Sequence, residues 1–262
     1  MVTNFSMRDE DCKEVTSQFE IENVFNLEGS DSNAFAFIGV DRKREWIVGS
    51  FKGTNASVAD FVTDLKGFEF MKNSCSSADG QVKFPGRVHD GFCSYYRSLS
   101  NVSFAKAFLT LADSLPSYKL VLTGHSLGAA AAVLMAYEIS ARSPDKNCSV
   151  FGYGQPRIGN YDFTVGVSEK VHELTRVVHG GDVVAHVPVC CSVLESKCGT
   201  SASCPYHIPN EYWYDNKMTD INDFKTCNGG EDNSCSKAFD VSVSDHLNYY
   251  NWELGNHCCY PE

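Results

Sequence analysis

No stretch of this 262-residue chain is apolar for long enough to cross a bilayer, and no Pro/Gly/Ser-rich linker or shift of composition divides it. The first absence excludes transmembrane helices, and the second favours one domain over residues 1–262. There is no internal repeat, which argues against solenoids and propellers. Positive charge is scarce: 22 Lys and Arg stand against 33 Asp and Glu, a formal charge of −11. That balance disfavours nucleic acid and strongly anionic membranes as partners and leaves neutral lipid surfaces open. Cys-x-x-Cys pairs are missing, so the cysteines do not read as zinc ligands, and no metal is expected. The N-terminal stretch MVTNFSMRDEDCKEV has no apolar core of signal-peptide type. If the protein is secreted, a leader is expected to have been removed.

What is present points to an exported globular protein. Hydrophobic content of 43% beside 21% charged residues suffices for a full core. Twelve cysteines are far above ordinary usage, and the even number is what a disulfide framework requires. Asn4, Asn55, Asn101 and Asn147 each begin an N-x-S sequon, which fits a eukaryotic secretory route.

Along the chain, residues 34–40 and 45–51 read as paired strands around the charged turn Asp41-Arg42-Lys43-Arg44. Residues 57–65 place Val58, Phe61, Val62 and Leu65 on one helical face, and 91–115 read as mostly helix. Further strands are expected at 119–123, 149–154 and 174–179, with an alanine-rich helix at 127–142. Alternating strands and helices predict a largely parallel sheet covered by helices. The segment 188–209, crowded with Cys, Gly and Pro, reads as disulfide-pinned loops.

The chemistry centres on Gly124-His125-Ser126-Leu127-Gly128. A serine between a buried strand and a helix is held in a tight reversal, and glycines on either side let the helix fold back on the strand. Such an elbow lifts the hydroxyl to the top of a sheet, beneath the first amides of the helix. Ser126 is therefore the candidate nucleophile. It needs a base and a carboxylate that orients the base. Asp182 follows the strand at 174–179 and is the leading acid, while Asp162 and Asp215 follow no clear strand end. The histidines beyond it are His186, His207, His246 and His257, and His246 stands among aromatic residues suited to packing an imidazole. The oxyanion donors are read as the amide of Leu127 and, through Phe51-Lys52-Gly53-Thr54, Thr54. His125, His89 and Tyr153-Gly154-Gln155-Pro156 read as supports that hold the elbow and the neighbouring loops.

Taken in order, GHSLGAA, FKGTNASVADFVTDL, VHDGF, YGQPRIGN, RVVHGGDVVAHVPV, PYHIPNEYWY and SDHLNYY resemble the fungal-type class 3 lipases, from about Phe35 to Trp252. The cysteine excess is more like animal, nematode-type members. The resemblance implies an α/β-hydrolase fold with a mostly parallel sheet, a short helical lid and disulfide-pinned C-terminal loops. It implies a triad of Ser126, Asp182 and His246, with Thr54 and Leu127 as oxyanion donors. The helix bearing Val58, Phe61, Val62 and Leu65 matches the lid, and Cys227 with Cys235 matches a small disulfide loop. Cys12 with Cys258 or Cys259 matches a tie between the termini.

The implied activity is hydrolysis of acylglycerol esters by a secreted monomer at a lipid–water interface, with no cofactor. Phospholipase A1 and feruloyl-type esterase are enzyme alternatives. A catalytically silent lipid-binding protein is the non-enzyme one, and the intact set of site residues speaks against it. A glycan at Asn55, beside the oxyanion residue, would block access, so that sequon is expected to be unoccupied.

Overall fold

Alternating apolar residues and a charged turn start the sheet. In the turn after Phe35–Asp41, the buried Asp41 carboxylate accepts from the Arg44 amide at 2.9 Å and pairs with its guanidinium at 2.7 Å, closing a hairpin onto Trp46–Phe51. A computed structural model describes residues 19–27, 33–54, 58–64, 71–72, 74–189, 199–236 and 241–254. Its strands are β1 (Glu20–Asn26), β2 (Phe35–Asp41), β3 (Trp46–Phe51), β4 (Met71–Lys72), β5 (Val88–His89), β6 (Lys119–His125) and β7 (Cys148–Tyr153). They continue as β8 (Gly159–Asn160), β9 (Glu173–His179), β10 (Pro205–Tyr206), β11 (Glu211–Tyr214), β12 (Lys225–Cys227), β13 (Asn248–Tyr249) and β14 (Trp252–Glu253). The helices are α1 (Val58–Asp64), α2 (Asp90–Asn101), α3 (Phe104–Ser114), α4 (Leu127–Arg142), α5 (Tyr161–Lys170) and α6 (Val243–Leu247).

Among the described residues, the main sheet runs β1-β2-β3-β6-β7-β9-β11-β12. From β3 to β11 neighbouring strands are parallel, and antiparallel pairs close both edges. Parallel order aligns the strand ends, so the loops after β3, β6, β7 and β9 share one rim, where ligands bind in open α/β sheets. A smaller sheet, β10-β8-β5-β4, and the hairpin β13–β14 lie apart from it.

The alanine-rich sequence explains the central helix. Gly128 to Ser140 of α4 are all buried, and the helix packs on β3, β6 and β7 and on α2, α3 and α5. Small side chains let it run through the middle of the core, where an amphipathic helix would leave polar groups unsolvated. Its one carboxylate there, Glu138, is held by the Tyr96 hydroxyl at 2.7 Å and by Arg142 Nε at 2.8 Å.

Residues 91–115 are mostly helix, as two helices, α2 and α3, separated at Val102–Ser103, where Ser103 takes the left-handed conformation (φ 64°). Other expectations need correction. Strands β1, β11 and β12 were not anticipated: they are short or edge elements with mixed exposure, so their alternation is weak. The even-cysteine framework also needs amendment. Cys75–Cys93 and Cys227–Cys235 are disulfides and Cys204 is disulfide-bonded, but Cys148 is a free thiol buried at the start of β7. There it serves as a small apolar side chain, and burial pushes its thiol up to about 12. Cys12, Cys258 and Cys259, with the tie between the termini, lie outside the described residues.

Candidate active site

The joint between β6 and α4 is built by contacts only glycine allows. A Cβ on Gly124 would stand 2.4 Å from the Gly128 carbonyl, and one on Gly128 would stand 2.1 Å from the Phe51 oxygen. Strand, helix and the end of β3 therefore meet backbone to backbone. Between them Ser126 is forced to φ 57°, ψ −124°, a region costing about 1–3 kcal/mol for a residue with a Cβ. Its N–H donates to the Tyr153 oxygen at 2.9 Å, and its own carbonyl accepts from Ala129 at 3.0 Å. The hydroxyl is buried and makes no hydrogen bond among the described residues. A buried hydroxyl so placed costs about 1–3 kcal/mol, which is tolerable where an incoming ligand supplies the partner.

The loop after β3 lies against this elbow. Phe51 pairs with Gly124 across the parallel ladder, and two residues later a Cβ on Gly53 would lie 3.1 Å from the His125 oxygen and 3.6 Å from Ser126 Cβ. Thr54 follows directly and is half-buried. Leu127 opens α4, so its amide belongs to the first turn, whose N–H groups have no acceptor within the helix.

Asp182 reaches the same rim through a tight turn after β9. Gly180 has φ 46°, and the Asp182 amide donates to His179 O at 2.9 Å. The carboxylate is fully buried. Oδ1 accepts from the amides of Val184 (2.8 Å) and Ala185 (3.3 Å), and Oδ2 from the Tyr249 hydroxyl (2.6 Å). His246 Nδ1 lies 2.8 Å from Oδ1 and 2.9 Å from Oδ2. Burial alone would raise this carboxyl; the His246 charge and the hydrogen bonds from His246 and Tyr249 outweigh it and hold the group below its ordinary value. The same carboxylate, after burial, pushes the Tyr249 hydroxyl well up, so it stays a donor.

His246 is 2% exposed on α6, whose first turn is capped by Ser242 Oγ accepting from the Asp245 amide at 3.0 Å. With Nδ1 donating to the carboxylate, Nε2 is the ring atom left to accept a proton. The His125 ring stacks 4.3 Å from it at 31°, and its Nε2–H donates to the His246 carbonyl at 2.9 Å. Burial first, and then the His246 charge, push His125 down to about 3, so it remains a neutral donor. Gly154 (φ 55°) passes so close that a Cβ there would be 2.5 Å from Asp182 Oδ2 and 3.0 Å from His246 Nδ1.

The structure thus brings Asp182 and His246 into contact, stacks His246 on the neighbour of Ser126, and lays the Gly53–Thr54 loop against Ser126. The other candidates fall elsewhere. His186 is tied by Nδ1 to the Asp182 carbonyl and by Nε2 to that of Ser236, and His207 donates to Ala185 O at 2.7 Å; both brace the Asp182 loop from behind. Asp162 is exposed in the first turn of α5. Asp215 does directly follow a strand end, that of β11, contrary to the reading from sequence, but it points into solvent. His89 caps α2, its Nδ1 accepting from the Gly91 amide at 3.2 Å and its ring lying 4.7 Å from that of Phe92. His257 lies outside the described residues.

Of the four lid positions, Phe61 and Val62 in α1 are each 8% exposed, with the Phe61 ring 6.5 Å from that of Phe92. Val58 opens the helix; Leu65 and the Asn55 sequon lie outside the described residues. Sequence reading missed the roles of Tyr249 and Asp245, while Gly154 lies in the segment it read as a support. Tyr249 stands three residues after His246, and that spacing within an aromatic cluster is the signal that could have found it. The sulfur atoms of Cys227 and Cys235 sit with an Asp232 oxygen within 4.8 Å of one another, yet both are committed to the disulfide and leave no thiolate for a metal.

The family model for Lipase (class 3) matches residues 48–192, more than half of the chain. A lipase of Rhizopus niveus is 31% identical over 183 residues, 68% of this chain and 43% of the relative. A lipase of Caenorhabditis elegans is 34% identical over 161 residues, 53% of this chain and 46% of the relative. The chain therefore spans less than half the length of these two relatives. The solved structure of Rhizomucor miehei triacylglyceride lipase superposes with a TM-score of 0.72 at 26% identity, covering 94% of this chain and 86% of that one. The architecture is that of an α/β hydrolase, and by the extent of these matches the chain belongs to the class 3 lipase family.

Proposed function

We propose that the chain is one catalytic domain, secreted and monomeric, that hydrolyses the carboxylic esters of acylglycerols at a lipid–water interface. The observation that carries this reading is an unpartnered hydroxyl on a strained Ser126 beside a buried Asp182–His246 pair. Relatives called lipases support the substrate class. Disulfides among the described residues suit an oxidising compartment, and no helix there is long and apolar enough to cross a membrane.

In this mechanism Ser126 Oγ attacks the ester carbonyl as His246 Nε2 removes its proton. Asp182 fixes the Nδ1–H tautomer and stabilises the imidazolium. The oxyanion is received by the Leu127 amide and by Thr54, whose loop Gly53 brings against the elbow. His246 then protonates the leaving alcohol, and water attacks the acyl-enzyme by the same route reversed. No step calls for a metal or organic cofactor. Burial of Phe61 and Val62 supports the reading of this helix as a lid held closed in water, and opening it at a lipid surface would exchange one apolar contact for another.

The test is hydrolysis of p-nitrophenyl esters of short and long chains, below and above their solubility limits. A jump in rate once an interface forms, with Ser126→Ala about 10⁵–10⁶-fold slower, is the expected result. Cleavage of short soluble esters without a jump would leave an esterase and remove the lid. Equal rates for wild type and variant would remove the enzyme.

A further inference from the structure

Acid and base sit on different, sequence-distant turns, joined by side chains with no place in the mechanism: His179, whose Nδ1 lies 2.6 Å from Asn248 O, and Asp245. Asp245, the residue before His246, accepts through Oδ2 from the Gly181 amide at 2.8 Å, and Gly181 is the residue before Asp182. The approach is close: a Cβ on Gly180 would stand 2.3 Å from the same oxygen, and Gly180 has φ 46°. Backbone bonds lock the same seam, with Ser242 N donating to Gly181 O at 2.7 Å and Val183 N to Ser242 O at 3.2 Å. Asp182 and Ser242 form a parallel bridge there. Those backbone bonds align the two segments; the carboxylate of Asp245 fixes where the His246 turn sits along that alignment.

We propose that Asp245 is a positioning residue that registers the Asp182 turn against the His246 helix, so that His246 Nδ1 meets the Asp182 carboxylate. The proposal rests on the reading of these two as acid and base. Its content is the hydrogen bond and not the charge. Asp245→Asn keeps an oxygen that accepts from Gly181 and should behave like wild type. Asp245→Ala loses the acceptor. Asp245→Glu keeps the charge, but its extra methylene has no room against Gly180.

Two readouts test this. The first is the low-field NMR resonance of the proton between His246 Nδ1 and Asp182. It should be sharp in wild type and Asp245→Asn, and broadened by exchange in Asp245→Ala and Asp245→Glu. The second is ester hydrolysis, in which Ala and Glu should lower kcat about 10- to 100-fold with little change in KM, while Asn rescues it. A resonance and kcat unchanged in Asp245→Ala, even with a lower Tm, would overturn the proposal. So would a defective Asn beside a normal Glu, which would assign the role to charge. If Asp245→Ala fails to fold, the Asn–Glu contrast decides alone. Should wild type hydrolyse no ester, the functional reading fails, and the resonance still judges the hold of Asp245 on the pair.

Discussion

The two halves of the site are held in place by different physics. On the Ser126 side, position comes from backbone in contact with backbone: Gly124, Gly128 and Phe51 meet at distances that admit no Cβ. On the Asp182–His246 side a backbone seam aligns the two segments, and the final placement comes from side chains reaching across the chain, those of Tyr249, Asp245 and His125, with the nearby amides of Val184 and Ala185 holding the carboxylate. The first kind of order is rigid and local, so it breaks by losing the fold. The second is adjustable and distant, so it breaks by losing the reaction while the fold survives.

The largest expected effect separates the two. Asp182→Asn should lower kcat about 10⁴-fold by undoing the tautomer of His246, with a far smaller change in thermal midpoint. Steady-state kinetics beside a thermal melt checks it, and a collapse of the fold would show that the pair is structural first.

On the other side, Gly128→Ala puts a methyl 2.1 Å from the Phe51 oxygen and should cost about 3 kcal/mol of stability or more, read in denaturant unfolding. Lost activity should follow the lost fold. A stable but inactive Gly128→Ala would erase the distinction.

The difference also explains what could be read in advance. An elbow whose geometry depends on glycines two residues either side of the serine is written within five residues, and GHSLG announces it. Asp182 was legible because it follows a strand end, a local signal. His246 stood out from the other histidines only through its aromatic neighbours and the family resemblance, Tyr249 was visible only as one of those aromatics, and Asp245 gave no sign, since the partners of the last two lie 67 and 64 residues away. The same logic covers the fold. The central strands and α4 were plain from apolar runs, whereas β11 hid in the short aromatic stretch EYWY, and so Asp215 was not seen to follow a strand.

The smallest expected effect lies at His125, which belongs to both halves. Folding lowers its value from 6.5 to about 3, chiefly by burial. Between those values the unfolded chain takes up a proton that the folded chain does not, so this contribution is intact above about pH 6.5 and is lost as pH falls toward 3. Asp182, held below 3.8, acts in the same direction at the acid end. Thermal melts from pH 7 to 4 should fall steadily for wild type and less steeply for His125→Gln, which keeps an N–H for the His246 carbonyl. Parallel curves would show that His125 is not what the acid attacks.

The central claim is that Ser126 is a nucleophile armed by His246 and Asp182. Treating the protein with a fluorophosphonate and mapping the adduct by peptide mass spectrometry tests it most directly. A single adduct on Ser126, formed in step with the loss of ester hydrolysis and much more slowly in Asp182→Asn, is the result predicted here. An unmodified Ser126 in folded protein, or hydrolysis that survives its modification, would contradict the account.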